Sequence, residues 1–159
     1  MHFYRIAGAL IVAFSGFMGA YIMNSAISKG CAQADAIIEL LRYVKVQIEC
    51  FALPAGDIIS KCDRSILAAC GIDRDILPNN FEELFNDVDI SNTEIARIVK
   101  NFASGFGKSY REEQLRECDY YISLLCEERK KLSEELPKRK KVNSALCISS
   151  ALAAVIILL

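Results

Sequence analysis

Both ends of this 159-residue chain are free of charged side chains. Residues 6–23 form an uncharged run of 18 residues that extends to residue 27, and residues 142–159 form a second run of 18. A helix of that length rises about 27 Å, close to the roughly 30 Å hydrocarbon core of a bilayer. Because a helix satisfies its own backbone hydrogen bonds, which lipid cannot do, the two runs predict two transmembrane helices.

The charged residues are confined to the middle of the chain. All 19 basic and 20 acidic residues except Arg5 lie within residues 28–141. This segregation explains how a chain that is 25% charged reaches a mean hydropathy of +0.25. It excludes an evenly mixed globular domain, a disordered chain and a secreted disulfide miniprotein. The formal net charge of -1 leaves no electrostatic footprint for nucleic acid, so we expect no such partner.

A cleavable signal peptide is the alternative for the first run, because Arg5 precedes it and Gly19 and Ala20 could suit cleavage. The run is longer than the usual apolar core of about 7–15 residues. Seven cysteines without an obvious pairing also suit the cytoplasm better than an oxidising exterior. We therefore expect an uncleaved anchor over residues 1–27.

A basic cluster directly precedes the second run and favours a span there over the alternative, a buried core helix. The cluster comprises Lys138, Arg139, Lys140 and Lys141, with Lys130 and Lys131 shortly before it. Basic residues beside a span stay on the cytoplasmic side, and the single opposing Arg5 does not reverse this orientation. The sequence thus predicts a two-pass protein of the cell membrane, with residues 28–141 as a cytoplasmic domain and residues 142–159 as its second span.

The first run also carries small residues at four-residue spacing. Two overlapping pairs are formed by Ser15, Gly16, Gly19 and Ala20. Small residues let helix backbones approach closely in lipid, although Gly and Ala are also simply common in membrane helices. If the pairs are packing sites, their partner is the second run, through Ala151 and Ala154, or a second copy of the chain in a homo-oligomer.

The middle of the chain has helical periodicity and no convincing strand pattern. We expect one helix over residues 33–51 and a second from Pro54 to Cys70, with Gly71 as its cap. A short acidic helix is expected over residues 81–87. Two segments resemble disordered sequence, namely residues 28–32 and 73–80. The predicted fold class is therefore all-α, a helical cytoplasmic domain between two transmembrane helices.

Two capping boxes predict the starts of the remaining helices. Ser91 with Glu94 opens a helix that Gly105 closes, and Ser109 with Glu112 opens the longest helix, which Pro137 interrupts. The longest helix has an apolar seam with one charged member, formed by Leu115, Cys118, Ile122, Leu125, Arg129, Leu132 and Leu136. We expect this seam to pack within the domain, because it is short for a free-standing coiled coil.

Few residues can support catalysis or metal binding. His2 is the only histidine, which argues against a His-centred triad or a zinc site built from several histidines. The seven cysteines show no Cys-x-x-Cys spacing, and most fall on apolar helical faces, as Cys62 and Cys118 do. They are expected to pack as small apolar side chains, with a redox or metal role as the alternative. We expect neither an enzyme nor a cofactor.

Gly107, Lys108 and Ser109 are similar to the end of a phosphate-binding loop. That motif needs a glycine at the position of Phe102 and a strand before the loop, and the sequence provides neither. Two helix boundaries joined by a tight turn explain the same residues. The segment therefore does not predict nucleotide binding.

The chain resembles the stage III sporulation protein AB family of endospore-forming bacteria. Its layout is similar, and residues 106–114 resemble the family's Leu-Gly-x-Ser/Thr-Asp-x-x-x-Gln turn. Gly107, Ser109 and Gln114 match, while Phe106 and Tyr110 stand where the family has Leu and Asp. The Ala-Leu-Pro-Ala segment at residues 52–55 is similar to a Leu-Pro pair that opens an early helix in the family.

The resemblance implies a place in the mother-cell membrane facing the forespore. It implies membership of a multi-protein channel, with a companion secretion-type ATPase as a partner. The cytoplasmic domain is then similar to those of inner-membrane platform proteins of type II secretion and type IV pilus systems.

The leading functional hypothesis is a non-enzymatic membrane platform that docks other subunits. Exposed charges at the start of the long helix could steer a partner, and the candidates are Lys108, Arg111, Glu112 and Glu113. For any one of them, a solvated helix face is the alternative. The seven cysteines motivate a second hypothesis, a membrane-tethered regulator that responds to thiol state.

Overall fold

The structure is a computed structural model that describes the backbone of residues 2–158. The side chains outside the description are those of residues 1–13, 16, 17, 20, 23, 24, 26, 27, 139, 150–152 and 154–159. The described chain is helical and contains no strand, which confirms the predicted all-α class. The helices are α1 (His2–Phe51), α2 (Ala55–Lys61), α3 (Arg64–Cys70), α4 (Phe81–Phe85), α5 (Thr93–Gly105) and α6 (Arg111–Leu158).

The chain divides into two compact units. The terminal unit comprises Met1–Lys29 and Leu132–Leu159, and the central unit comprises Gly30–Lys131. Within the described residues, no helix offers a stretch long and apolar enough to cross a membrane. Many side chains of the predicted spans, residues 6–27 and 142–159, lie outside the described residues. The two spans stay predictions.

The core of the central unit takes apolar side chains from all six helices. The face of α1 that the periodicity predicted is buried, with Ile37, Leu41 and Val44 fully covered. The other helices contribute Ile58, Leu67, Phe81, Leu84, Ile95, Phe102, Cys118 and Leu125. The burial of Cys118 and Leu125 confirms that this part of the α6 seam packs within the domain.

Polar contacts fix α1 against α6 within the central unit. Arg129 forms a two-pronged ion pair with Asp35, at 2.8 and 2.9 Å, and Lys45 pairs with Asp119 at 2.7 Å. As the residue number rises along α1, its partner's number falls along α6, so the two helices run antiparallel here. The charged member of the apolar seam, Arg129, therefore faces a carboxylate on the neighbouring helix.

The single helix predicted from Pro54 to Cys70 is wrong, because the chain breaks after Lys61 into α2 and α3. Asp63 caps the second piece by accepting a hydrogen bond from the Ser65 backbone N–H at 2.8 Å. Gly71 ends α3 in the left-handed region with φ of 93°, and the Ile72 N–H donates to Leu67 O at 2.9 Å. This Schellman arrangement confirms the predicted cap.

Both predicted capping boxes are wrong by one residue or more. The cap of α5 is Asn92, whose Oδ1 accepts from the Ile95 N–H at 3.0 Å. The Ser91 N–H, which a capping box would direct to Glu94, instead donates to Gln33 Oε1 at 3.3 Å. At α6, the first helical bond runs from the Gln114 N–H to Tyr110 O at 2.9 Å, so the helix begins after Tyr110.

Two segments are more ordered than the sequence suggested. Residues 28–32 are part of α1, which is continuous from residue 2. Residues 73–80 form a loop without helix, and Arg64 holds it by donating to Arg74 O at 2.5 Å and Asp75 O at 3.1 Å. The predicted interruption at Pro137 is also wrong, since α6 continues through it.

Candidate functional site

Two turns lie together in the central unit and form a surface depression of about 420 Å³. One turn joins α1 to α2 and the other joins α5 to α6, so the two segments that resemble family motifs meet here. We call this depression the corner surface. It is lined by Ile48, residues 52–55, Phe106, Gly107, Arg111 and Gln114.

The first turn holds an alanine in an unusual conformation. Ala52 has φ of 51°, in the left-handed region that costs a non-glycine residue about 1–2 kcal/mol. Its N–H still donates to Ile48 O at 3.2 Å, which ends α1. Pro54 then starts α2, because its carbonyl accepts from the Asp57 and Ile58 N–H groups, each at 3.1 Å. The Leu-Pro pair is thus a helix start, as its sequence indicated.

The second turn explains the spacing of glycine, serine and glutamine in residues 107–114. Gly107 adopts φ of 84°, which favours a residue without Cβ. The Gln114 side chain donates from Nε2 to Ser109 O at 2.6 Å, and the Ser109 hydroxyl donates to Glu117 Oε1 at 3.3 Å. The glutamine therefore secures the turn from the first full turn of the helix that follows.

Phe106 belongs to an aromatic cluster beneath the second turn. Its ring centroid lies 4.7 Å from that of Phe81 and 5.3 Å from that of Phe102, and Phe102 also meets Tyr121 at 5.6 Å. Edge-to-face pairs at these distances are favourable. The aromatic residue at a position where the family has leucine is thus accommodated by other rings.

Arg111 joins the two turns. Its Nε donates to Ile48 O at 3.1 Å, which also accepts from the Ala52 N–H, and its Nη2 donates to Glu49 O, one of the last carbonyls of α1. A positive charge at this end also complements the helix dipole. Of the four predicted docking residues, Arg111 therefore has an internal bonding role that the sequence did not reveal.

The other three predicted docking residues are exposed. Lys108 lies in the second turn, and Glu112 and Glu113 lie in the first turn of α6. The two carboxylates there are favourable for the positive end of the helix dipole. They lie beside the corner surface in sequence but do not line it.

Two exposed aromatic residues flank the corner surface in sequence. Tyr110 is 89% exposed and directly precedes Arg111, and Phe51 is 65% exposed and directly precedes Ala52. Large aromatic side chains are enriched at protein interfaces. Neither residue is predicted as a site residue from the sequence, although a tyrosine at the position where the resembled motif has aspartate was a visible signal.

The predicted sites in the terminal unit are described in part. Ser15 is exposed and Gly19 is half-buried, while the side chains at Gly16 and Ala20 lie outside the described residues. In the basic cluster, Lys138 and Lys141 are exposed and Lys140 is half-buried. The Arg139 side chain lies outside the described residues.

Four of the seven cysteines are buried, namely Cys31, Cys62, Cys70 and Cys118. Burial raises the pKa of Cys62 and of Cys118 to about 11 and that of Cys70 to about 12, from the usual 9.0. These thiols stay protonated near neutral pH, and a protonated thiol is a poor nucleophile. In the part of the chain that the structure describes, no group of three His, Cys, Asp or Glu residues could hold a metal ion.

The fold and its site define an all-helical protein whose candidate site is a surface built from two helix-boundary turns. The sequence model of the stage III sporulation protein AB family matches residues 74–159, which is more than half of the chain. The chain belongs to this family and is a sporulation-related protein. The match includes the second turn and α6. No curated protein and no solved structure matches the chain.

Proposed function

We propose that this protein is a non-enzymatic membrane platform of the channel between mother cell and forespore. Its terminal unit anchors it in the mother-cell membrane, and its central unit docks other subunits on the cytoplasmic side, including a companion secretion-type ATPase. Membership of the sporulation family supports this role.

Exposed apolar side chains in the terminal unit support membrane anchoring. Phe14, Met18 and Ile22 recur on α1 at four-residue steps and are 52–72% exposed. On α6, Val142, Leu146 and Ile148 are 44–63% exposed. Contiguous exposed apolar surface is unfavourable in water and marks contact with lipid or protein. In a bilayer the same side chains meet acyl chains.

The observation that carries the docking proposal is the corner surface. Two chain segments more than 50 residues apart meet there with positive φ angles, at Ala52 and Gly107. An exposed aromatic residue is near each in sequence, with Phe51 directly before Ala52 and Tyr110 three residues after Gly107. Backbone strain outside the core is kept where the surrounding structure enforces it, and it is concentrated at functional sites. We therefore assign docking to this surface, with Tyr110 as its main apolar contact.

The test is capture of the companion ATPase from sporulating cells by affinity-tagged full-length protein. Tyr110→Ala is expected to reduce capture at least tenfold, because a buried tyrosine at an interface is worth about 2 kcal/mol or more. Tyr120→Ala is the matched control, since Tyr120 is another exposed tyrosine, 58% accessible, which lies within α6 and does not line the corner surface. The Tyr120→Ala variant should capture as much ATPase as the unaltered protein does.

Charge reversal provides a second variant. Glu113→Arg is expected to weaken capture in a salt-dependent way, because exposed charges steer association. Arg111→Glu is less informative, since it also removes the bonds to Ile48 O and Glu49 O. Equal capture by Tyr110→Ala, Glu113→Arg and the unaltered protein would remove the corner surface as the docking site.

A further inference from the structure

The charges of the terminal unit are gathered in one stretch of each helix. Apart from Arg5, this unit has five basic residues and two acidic ones, Glu134 and Glu135. The basic residues are Lys29, Lys138, Arg139, Lys140 and Lys141. Lys29, Lys138 and Lys141 are exposed, so most of the described positive charge faces the surroundings. We call the lysines Lys29, Lys138, Lys140 and Lys141 the basic band.

Continuity of α6 fixes what lies next to the basic band. Because the helix passes through Pro137 without a break, residues four apart lie above one another on one face. Lys138, Val142 and Leu146 form such a row, and Val142 is 57% and Leu146 63% exposed. The exposed row therefore changes from an ammonium group to aliphatic side chains within one helical turn, about 6 Å.

This change from an ammonium group to aliphatic side chains within one helical turn matches the surface of a bilayer better than it matches water or a protein groove. Phosphate groups lie at the headgroup level, and acyl chains begin a few ångströms below them. Lysine heads extend toward the headgroups while their aliphatic stems cover apolar surface. Clusters of four or more basic residues beside a membrane helix attract anionic lipids.

We propose that the basic band binds the headgroups of anionic phospholipids, with Lys138 and Lys141 as the principal contacts. This inference rests on the proposed membrane anchoring and names the lipid class that the anchor selects. The excess of five basic over two acidic residues supplies the charge complementarity, and the exposed apolar row places the ammonium groups at phosphate level. Zwitterionic lipids offer the same phosphate without net charge and are expected to bind more weakly.

Lipid retention by the full-length protein tests this proposal. The protein is reconstituted into vesicles of phosphatidylcholine and phosphatidylglycerol in equal parts, washed at alkaline pH, solubilised gently and captured. Mass spectrometry then measures the two lipids that remain bound. We expect phosphatidylglycerol to be enriched severalfold over the bulk ratio, and the double variant Lys138→Glu, Lys141→Glu to retain the bulk ratio.

The matched control is Lys61→Glu with Lys100→Glu, which makes the same charge change at two exposed lysines of the central unit. This control should keep the enrichment. Two results overturn the inference and leave anchoring intact. One is enrichment of phosphatidylglycerol that persists in the Lys138 and Lys141 double variant. The other is a lack of enrichment on the unaltered protein, although the protein stays in the washed vesicles. Loss of the unaltered protein in the alkaline wash overturns the anchoring and the inference together.

Discussion

Gly71 gives the clearest residue-scale prediction. Its φ of 93° is strained for any residue with a Cβ, and a Cβ there would lie 3.2 Å from Gln33 Nε2 and 3.5 Å from Val88 Cγ1. Gly71→Ala should lower the free energy of unfolding by about 1–2 kcal/mol. Denaturant unfolding of the detergent-solubilised full-length protein measures this.

Gly105→Ala is the matched control for Gly71. Gly105 is the last residue of α5, and a Cβ there would meet nothing within 4 Å. Because alanine favours a helix over glycine by up to about 1 kcal/mol, this variant should be equally or more stable. If the two variants lost the same stability, the left-handed cap would not be the cause.

The buried thiols predict a pH dependence of stability. Unfolded cysteines ionise near their usual pKa of 9.0, whereas burial raises the pKa of folded Cys70 to about 12. Between these pH values the unfolded state binds fewer protons than the folded state, so stability falls as pH rises. Each such thiol lowers the free energy of unfolding by about 1.4 kcal/mol per pH unit.

Urea unfolding between pH 8 and pH 11 measures this effect. Cys70→Ala is expected to be less stable than the unaltered protein at pH 8, with a shallower decline above pH 9. Replacing the exposed Cys50 by serine should leave the decline unchanged. If the free energy of unfolding of the Cys70 variant fell with pH as steeply as that of the unaltered protein, the Cys70 thiol would not be protected by burial.

At the residue scale, the sequence predicts caps best where only one residue can supply them. Gly71 was predicted because a glycine follows an apolar helical pattern. Ser91 and Asn92 are both good caps by type, and Asn92 is the cap, while the Ser91 N–H that a capping box needs donates to Gln33 Oε1. That bond joins residues 58 positions apart, so local sequence could not reveal it.

At the scale of the helices, Arg111 gives the clearest prediction, because its side chain joins the end of α1 to the start of α6. Arg111→Ala leaves Glu49 O without its charged donor, and bonds from charged groups are worth about 1.5–3 kcal/mol each. Since the side chain is partly exposed, we expect a loss of about 1–2 kcal/mol in the free energy of unfolding. Chemical denaturation of the full-length protein checks this.

Arg116→Ala serves as the comparison, since Arg116 is an exposed arginine on the same helix. Surface substitutions of this kind change stability by about 0.5 kcal/mol or less. Equal losses in the two variants would mean that the contact with α1 contributes no stability.

Helix ends were harder to predict than helix existence. Pro137 predicts an interruption because proline removes one helical hydrogen bond, yet α6 continues through it, as it can when that one bond is absent. At Cys62 and Asp63 the prediction was wrong in the other direction: the apolar periodicity continues across these residues and predicts one helix, but the chain breaks there into α2 and α3. Aspartate competes for backbone N–H groups, and the Asp63 side chain accepts from the Ser65 N–H. This bond starts α3 as a separate helix.

At the scale of the whole molecule, the sequence predicted the components of the candidate site but not their meeting. The motifs at residues 52–55 and 106–114 were each recognised as a helix start. Their convergence depends on the antiparallel packing of α1 and α6 in the central unit, which is a long-range property. Because this packing is not visible in the local sequence, Glu112 and Glu113 were predicted as docking residues from their charge, and Phe51 and Tyr110 were not predicted.

The arrangement that we propose is a helical domain held at the cytoplasmic face of a membrane by the two ends of the chain. Cys50 is an exposed thiol of the central unit and reports directly on that arrangement. A membrane-impermeant maleimide is applied to sealed protoplasts and to inverted membrane vesicles, with Cys50→Ser identifying the signal. We predict labelling of Cys50 in inverted vesicles and none in protoplasts. Labelling in intact protoplasts, or absence of the protein from the vesicles, would contradict the account.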